Sequence, residues 1–237
     1  MPLTSFRAPA ASAFGELGAH PSPLARIARH LDKLPAGQQA ALASFVERGL
    51  LDRLGWLESA ATGRPVDAAG EPLPWLTYPA LRLIEERVPG GAGVIEFGAG
   101  LSTLWWARRA RRLVTIENDE GWCAEIRSRA PSHVDVRHVP LPVLGSTLDA
   151  MAASGETFDI VVIDNFDRAT VAMKVMAFLH AASVIVFDNS DELVYRPCVD
   201  HLKGEGFKEL RLHALGPVNP FEWSTSFLYR PGNCLGL

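Results

Sequence analysis

The sequence predicts an α/β protein with a doubly wound sheet that is mostly parallel and ends in an antiparallel strand. From Gly93 onward, short and almost wholly apolar runs alternate with helical segments. Such runs are typical of parallel strands that helices cover on both faces. The last two runs are joined by the loop GPVNPFEW, which is too short for a helical crossover and therefore predicts an antiparallel pair. An all-helical segment precedes the sheet.

Five parallel strands are predicted, and helical segments lie between most of them. They are GVIEF (Gly93–Phe97), RLVTIE (Arg112–Glu117), VDVRHV (134–139), FDIVVID (158–164) and SVIVFD (183–188). The antiparallel pair is predicted from FKELRLHAL and STSFLYR. No internal repeat interrupts this order, so we expect a single sheet.

The chain before the sheet divides into two predicted parts. Residues 1–21 are rich in Ala, Ser, Pro and Gly without apolar periodicity and predict a flexible arm. Residues 22–57 carry two apolar stripes at helical spacing with a break near Pro35, and YPALRLIEERV predicts a further helix over 79–88. The second stripe consists of Ala40, Leu42, Phe45, Val46 and Leu50. We therefore expect a flexible arm over 1–21, an N-terminal helical cap over 22–90 and a core domain over 91–237.

Composition restricts the partners of the protein. The 237 residues carry a formal net charge of -4, so no overall basic field attracts nucleic acid or an anionic membrane. Cys123, Cys198 and Cys234 are scattered, without the close pairing of a zinc site or a disulfide framework. No apolar run approaches the roughly 18 residues of a membrane span, and the N-terminus lacks a signal-peptide core. We expect a soluble cytoplasmic protein that binds neither nucleic acid nor membrane.

A glycine turn after the first strand is the most informative motif. The segment EFGAGLST (96–103) follows a buried strand directly and leads into a helical stretch. Gly98 and Gly100 permit a tight turn and leave bare backbone for a ligand at a helix N-terminus. Glu117 ends the second strand about 20 residues later, where an acidic side chain can accept hydrogen bonds from both hydroxyls of a ribose. This spacing indicates an adenosine-containing ligand.

These motifs resemble those of class I S-adenosylmethionine-dependent methyltransferases, whose fold is a Rossmann-like sheet. The resemblance covers roughly residues 76–230 and is most specific to a bacterial subset with the pattern E-[FY]-G-x-G-x-S-T-x-W-W. It implies S-adenosylmethionine as the cofactor. The implied cofactor-binding residues are Tyr78, Glu96, Gly98, Ala99, Gly100, Ser102, Glu117, Asn118 and Asp164. Among them, Glu96 and the glycine turn would face the amino acid portion of the cofactor, Glu117 its ribose, and Asn118 or Asp119 its adenine.

A second group of polar residues follows the fourth and fifth predicted strands. Asp164, Asp188 and Asn189 should converge where the strand ends meet, and oxygen ligands of this kind suit Mg²⁺. The group resembles the metal triad of catechol O-methyltransferase-like enzymes, in which a lysine base follows the first Asp by three residues. Here Asp167 occupies that position and Arg168 follows it. Alternatively, Asp164 orients the acceptor or the cofactor, while Asp188 and Asn189 brace the next loop.

The sequence therefore predicts a methyltransferase acting on a small-molecule or peptide acceptor, with O-methylation favoured over N-methylation. Asp164 is the candidate catalytic residue, as a general base or through a metal. Two alternatives remain open at this point, a noncatalytic domain that binds the cofactor and an oxidoreductase that uses a nicotinamide cofactor. Thr103 stands where the dinucleotide fingerprint has a third small residue, which disfavours the oxidoreductase. The helical cap could also support a homodimer.

Overall fold

The computed structural model describes residues 31–237, so the predicted arm and the start of the predicted cap lie outside the described residues. A seven-stranded sheet has the order β3-β2-β1-β4-β5-β7-β6. Its strands are β1 (Gly93–Phe97), β2 (Arg112–Glu117), β3 (Val134–His138), β4 (Phe158–Ile163), β5 (Leu179–Asp188), β6 (Lys208–Ala214) and β7 (Trp223–Tyr229). Strands β1 to β5 are mutually parallel, and β7 lies antiparallel between β5 and β6. The predicted fold class is confirmed.

Strand β5 begins earlier than the sequence predicts. Its first residue, Leu179, pairs with Phe158, and the register then shifts so that Ile160 pairs with Val184. The residues across this irregularity, His180 to Ala182, lack the β-branched apolar pattern on which the prediction of a strand from Ser183 rests. A bulge of this kind adds residues to one strand without changing the hydrophobic alternation of the rest.

Helices cover both faces of the sheet. They are α1 (Ala36–Val46), α2 (Leu50–Arg53), α3 (Trp56–Thr62), α4 (Tyr78–Arg87), α5 (Leu101–Ala107), α6 (Glu120–Arg129), α7 (Leu141–Ala152), α8 (Arg168–Lys174) and α9 (Arg196–Gly204). A 3-10 turn over Val175–Phe178 links α8 to β5. Among residues 31–237, no helix combines the length and the apolar character needed to cross a bilayer.

The core consists of two apolar layers because the strands alternate their side chains between the faces of the sheet. Ile95 and Phe97 pack on one face with residues of α7, α8 and α9. Val94 packs on the other face with α5 and with Ile84 of α4. Helix α4, assigned by the sequence to the cap, therefore contributes directly to the layer beneath the sheet.

The second predicted helical stripe of the cap is interrupted. Helix α1 ends at Val46, and Arg48 has a left-handed backbone with a φ of 65°. Within the described residues, Leu42, Phe45 and Val46 remain exposed, so this stripe is not packed against the sheet. A local apolar pattern predicts which face of a helix would be buried, but the packing partner is determined by tertiary structure.

Candidate active site

The turn after β1 is tightly packed against the end of β4. Gly98 has a φ of +100°, and a Cβ atom built there would lie 2.5 Å from the backbone oxygen of Asp164. The Asp164 amide donates a hydrogen bond to the carbonyl of Phe97 at 2.9 Å, which brings the two strand ends together. Only glycine combines this backbone conformation with so close an approach. Gly98 therefore serves the fold of the turn.

Gly100 differs from Gly98 because neighbouring protein atoms leave room for a side chain. Its φ is -175°, an extended conformation open to any residue. The nearest atom to a Cβ built there is the Ser102 hydroxyl oxygen, at 3.5 Å. The Gly100 amide donates to the hydroxyl of Thr103 at 3.1 Å, which orders the first turn of α5. Packing within the described chain thus does not require glycine at this position, whereas close approach of a ligand would.

Glu117 joins the end of β2 to the turn after β1. Its Oε2 accepts a hydrogen bond from the Ala99 amide at 2.9 Å. Its Oε1 accepts from the amides of Asn118 at 2.7 Å and Asp119 at 2.8 Å. Asp119 in turn caps α6 by accepting from the Trp122 amide. The predicted glycine turn and Glu117, the residue predicted to bind a ribose, are therefore in direct contact.

Glu96 is a fully buried carboxyl group beneath the turn. Its Oε2 accepts hydrogen bonds from the hydroxyls of Thr103 at 2.6 Å and Thr115 at 3.0 Å. Its Oε1 has no hydrogen-bond partner within residues 31–237. Burial raises the pKa of Glu96 to about 7, although the Ser102, Thr103 and Thr115 hydroxyls favour its ionised form. An oxygen left unpaired in this way fits a site that is completed by a donor from a ligand.

Trp122 is a site residue that the sequence did not single out. Its indole Nε1 donates a hydrogen bond to the Ala99 carbonyl at 2.7 Å, and the side chain is partly exposed. Ala99 is thus held through its amide by Glu117 and through its carbonyl by Trp122. Nothing in the sequence marks Trp122, because its role depends on α6 lying beside the turn after β1.

Asp164, at the end of β4, faces a buried cation. Its Oδ1 accepts a hydrogen bond from Arg168 Nη2 at 2.5 Å, and its side chain is 32% exposed. Burial raises the pKa of Asp164, Arg168 lowers it in opposition, and the Glu117 charge raises it further. Arg168 itself is buried in the first turn of α8. The Asp167 side chain caps α8 by accepting from the Thr170 amide at 3.0 Å, so Asp167 has a structural role.

Asp188 and Asn189 end β5 with different partners. Asp188 Oδ1 accepts from the Thr225 hydroxyl at 2.6 Å and from Trp223 Nε1 at 3.1 Å. Burial and the nearby Asp164 charge raise the pKa of Asp188. Asn189 has a left-handed backbone with a φ of 56°, and its Oδ1 accepts from Arg168 Nη2 at 2.8 Å. Asp188 is therefore oriented by β7, and Asn189 by Arg168.

The three residues expected to hold Mg²⁺ do not fit a divalent cation in this arrangement. The guanidinium of Arg168 contacts both Asp164 and Asn189, where a metal would need the same oxygens. One Asp188 oxygen is already bonded to two donors from β7. Within residues 31–237, no three His, Cys, Asp or Glu side chains are grouped so as to hold a metal.

Of the other predicted cofactor-binding residues, Ser102 and Asn118 lie near the turn after β1, whereas Tyr78 lies in the apolar layer of α4. Ser102 lies beside Gly100 and Glu96, and the Asn118 carbonyl contacts a ring nitrogen of His138 at 3.2 Å. Tyr78 is buried in the apolar layer of α4, and its hydroxyl has no partner among the described residues. Its assignment as a cofactor-binding residue stays a prediction.

The carboxylates Glu96, Glu117, Asp164 and Asp188 form an acidic edge at the carboxyl ends of the strands. The charge of Asp164 influences both Glu96 and Asp188, and Glu117 influences Asp164. Arg168 is the cation paired directly with this group. Burial is the main cause of the raised pKa of Glu96, Asp164 and Asp188, and neighbouring carboxylates raise these pKa values further.

Comparisons with known proteins identify the fold. No protein-family model and no curated protein matches the sequence. The crystal structure of an O-methyltransferase from Bacillus cereus with SAH is similar at 20% identity and a TM-score of 0.57, covering 80% of this chain and 97% of that chain. The O-methyltransferase TomG from Streptomyces achromogenes, with SAM, is similar at 22% identity and a TM-score of 0.50, covering 58% and 73%. The chain has the fold of class I S-adenosylmethionine-dependent methyltransferases.

Proposed function

We propose that this protein is an S-adenosylmethionine-dependent methyltransferase. The observation that carries the proposal is the hydrogen bond between the Glu117 carboxylate and the Ala99 amide. It joins the acid at the end of β2 to the turn after β1, the arrangement that recognises an adenosyl group in doubly wound folds. The solved structures that share this fold include proteins crystallised with SAM or SAH, which supports the same class of ligand here.

The residues around the turn fit the parts of this cofactor. The unpaired Oε1 of Glu96 would accept from its ammonium group, and Gly100 would leave space for its amino acid portion. Glu117 would accept from the ribose hydroxyls, since a carboxylate has more acceptor sites than its three backbone donors occupy. When bound, S-adenosylmethionine supplies a methyl group activated by its sulfonium centre. The acidic edge would balance the positive charge of that centre.

Asp164 is the proposed general base for an acceptor hydroxyl. Its Oδ2 has no hydrogen bond within residues 31–237, while its Oδ1 is held by Arg168. A carboxylate with a raised pKa is a stronger base, which favours O-methylation of a hydroxyl that must lose its proton. The protein would otherwise orient the acceptor and exclude water, which supplies on the order of 7 to 11 kcal/mol in well-organised systems.

The proposed acceptor is a small molecule or peptide with an apolar part. Exposed apolar side chains lie on the loops at the same edge of the sheet: Phe166 follows β4, Leu193 and Val194 follow β5, and Phe221 precedes β7. Exposed apolar residues concentrated around a polar site are typical of ligand-binding surfaces. Transfer of labelled methyl from S-adenosylmethionine to a panel of phenols, hydroxy acids and peptides would identify the acceptor class.

Glu117→Gln is expected to weaken S-adenosylmethionine binding at least tenfold, which corresponds to about 1.4 kcal/mol. The amide would place donors opposite the amides of Ala99 or Asn118, so both the turn and the ribose site lose acceptors. Isothermal titration calorimetry measures the change. Glu120→Gln is the matched control because Glu120 is exposed one turn away in α6. Unchanged affinity in a folded Glu117→Gln protein would contradict the assignment of this site.

Affinity for S-adenosylmethionine is expected to rise with pH through the pKa of Glu96, about 7. Only the ionised carboxylate attracts an ammonium group, so binding releases a proton and affinity falls up to about tenfold per pH unit below that pKa. The free protein shows the opposite trend, because a carboxyl group with a raised pKa loses stability as pH rises through it. Calorimetry from about pH 6 to about pH 7.5 tests this, below the usual pKa of the ligand's amino group. Glu96→Gln should reduce the slope to the part that Asp164 and Asp188 contribute, and Glu120→Gln should keep the wild-type slope.

A further inference from the structure

Arg168 lies where the oxygens of the strand ends β4 and β5 converge. Its Nη2 donates to Asp164 Oδ1 at 2.5 Å and to Asn189 Oδ1 at 2.8 Å. Its Nε donates to the Asp188 carbonyl at 3.2 Å. The cation therefore contacts all three residues of the predicted metal triad.

The position of Arg168 is determined by its remaining contacts. Its Nη1 donates to the Asn165 carbonyl at 2.5 Å and to the Tyr195 hydroxyl at 3.4 Å. The guanidinium carbon lies 4.7 Å from the centre of the Tyr195 ring, within the range of a cation-π contact. A guanidinium has five N–H donors, and each has an acceptor here. Arg168 is thus a fixed part of the site and has no donor left for an acceptor molecule.

The charge of Arg168 is also compensated locally. A buried guanidinium without a carboxylate partner would be strongly unfavourable, and Asp164 supplies that partner. In return, Arg168 holds one oxygen of Asp164, so that the other is the oxygen available to an acceptor. A divalent cation that used the same oxygens would have to displace the guanidinium, because otherwise the two positive charges would lie at contact distance.

We propose that Arg168 replaces a divalent cation at this edge, as a positioning residue that makes the protein independent of metal. The inference rests on the proposed function, because the reaction that would need no metal is methyl transfer. The cation site itself can be tested without cofactor or acceptor. Removing the guanidinium should expose the oxygens of Asp164 and Asn189 to a metal ion. Arg168→Lys keeps a charge in the same place and should continue to exclude it.

The test measures Mn²⁺ binding to the full chain by electron paramagnetic resonance. The protein is first stripped of metal with EDTA and then desalted. We expect no saturable site in the wild type or in Arg168→Lys, and one site in Arg168→Ala with an affinity at least tenfold above any wild-type binding. Arg127→Ala is the control for loss of an arginine, because Arg127 also donates to a backbone carbonyl, that of Val136, but is exposed and lies away from the acidic edge. It should gain no site.

A second measurement covers the case in which Arg168→Ala does not fold. The melting temperature of the wild type should be the same in EDTA and in MnCl₂, because a metal that bound the native state would raise it. A single Mn²⁺ site in the wild type that Asp164→Asn removes would overturn the proposal. So would a folded Arg168→Ala that gains no Mn²⁺ site. Failure of the wild type to bind S-adenosylmethionine would instead refute the proposed function and leave the cation assignment standing.

Discussion

Gly100→Ala is expected to reduce S-adenosylmethionine affinity at least a hundredfold while the protein keeps its fold, a loss of about 2.8 kcal/mol. The extended backbone of Gly100 accepts any residue, and a Cβ there meets the Ser102 hydroxyl oxygen only at van der Waals distance. The added methyl group would occupy the space in which the ligand approaches bare backbone. Calorimetry gives the affinity, and thermal unfolding shows that the fold is retained.

Gly90→Ala is the control for Gly100→Ala. Gly90 lies in an exposed turn before β1, and no atom would lie within 4 Å of a Cβ built there. This variant should bind S-adenosylmethionine with wild-type affinity and unfold at the same temperature as the wild type. If Gly100→Ala also bound S-adenosylmethionine with wild-type affinity, the ligand would not approach this side of the turn, and the proposed site would be incorrect.

Gly98→Ala is expected to destabilise the protein by about 3 kcal/mol or more. A residue with a side chain is strained by about 1–3 kcal/mol in an unusual backbone conformation such as this φ of +100°. The Cβ would also lie 2.5 Å from the Asp164 backbone oxygen, so the strand ends would have to separate. For a chain of this size the melting temperature should fall by roughly 6–12 °C. Denaturant unfolding measures the free energy directly.

Gly155→Ala separates the two causes of the effect of Gly98→Ala. Gly155 has a φ of +68°, but a Cβ there would meet no atom within 4 Å. It should lose only the cost of the backbone strain, about 1 kcal/mol. Equal losses at Gly98 and Gly155 would mean that the contact between the turn and β4 does not determine the stability of the site.

The parallel strands could be predicted because their information is local. Each of β1, β2 and β4 is a largely apolar run between turn signals, and burial on both faces produces that pattern. The early start of β5 could not be predicted in the same way. Its first residue, Leu179, pairs with Phe158 of β4, which is not a neighbour in the sequence. The exposure of the apolar stripe of α1 could not be predicted either, because local periodicity does not indicate what a helix face packs against.

The residues of the candidate site also differ in whether local sequence predicts them. Gly98, Gly100 and Glu117 could be predicted because a turn and a strand end are local features with a known spacing. Arg168 could not, because an arginine in the first turn of a helix is usually a solvated residue. Its burial depends on Asn189 and Tyr195, which come from the segment after β5. Charge pairing across the sheet edge is a property of the assembled fold.

The Thr225 hydroxyl connects the beginning of α4 to the acceptor side of the site. It donates to Asp188 and at the same time accepts from the Thr77 amide at 3.1 Å. A substrate that shifts the chain just ahead of α4 would therefore disturb one of the two hydrogen bonds that orient Asp188. Substitutions in the segment before α4 that adapt the protein to a new acceptor would therefore also change the orientation of Asp188 at the end of β5. The Thr225 hydroxyl transmits this effect because it is bonded to both segments.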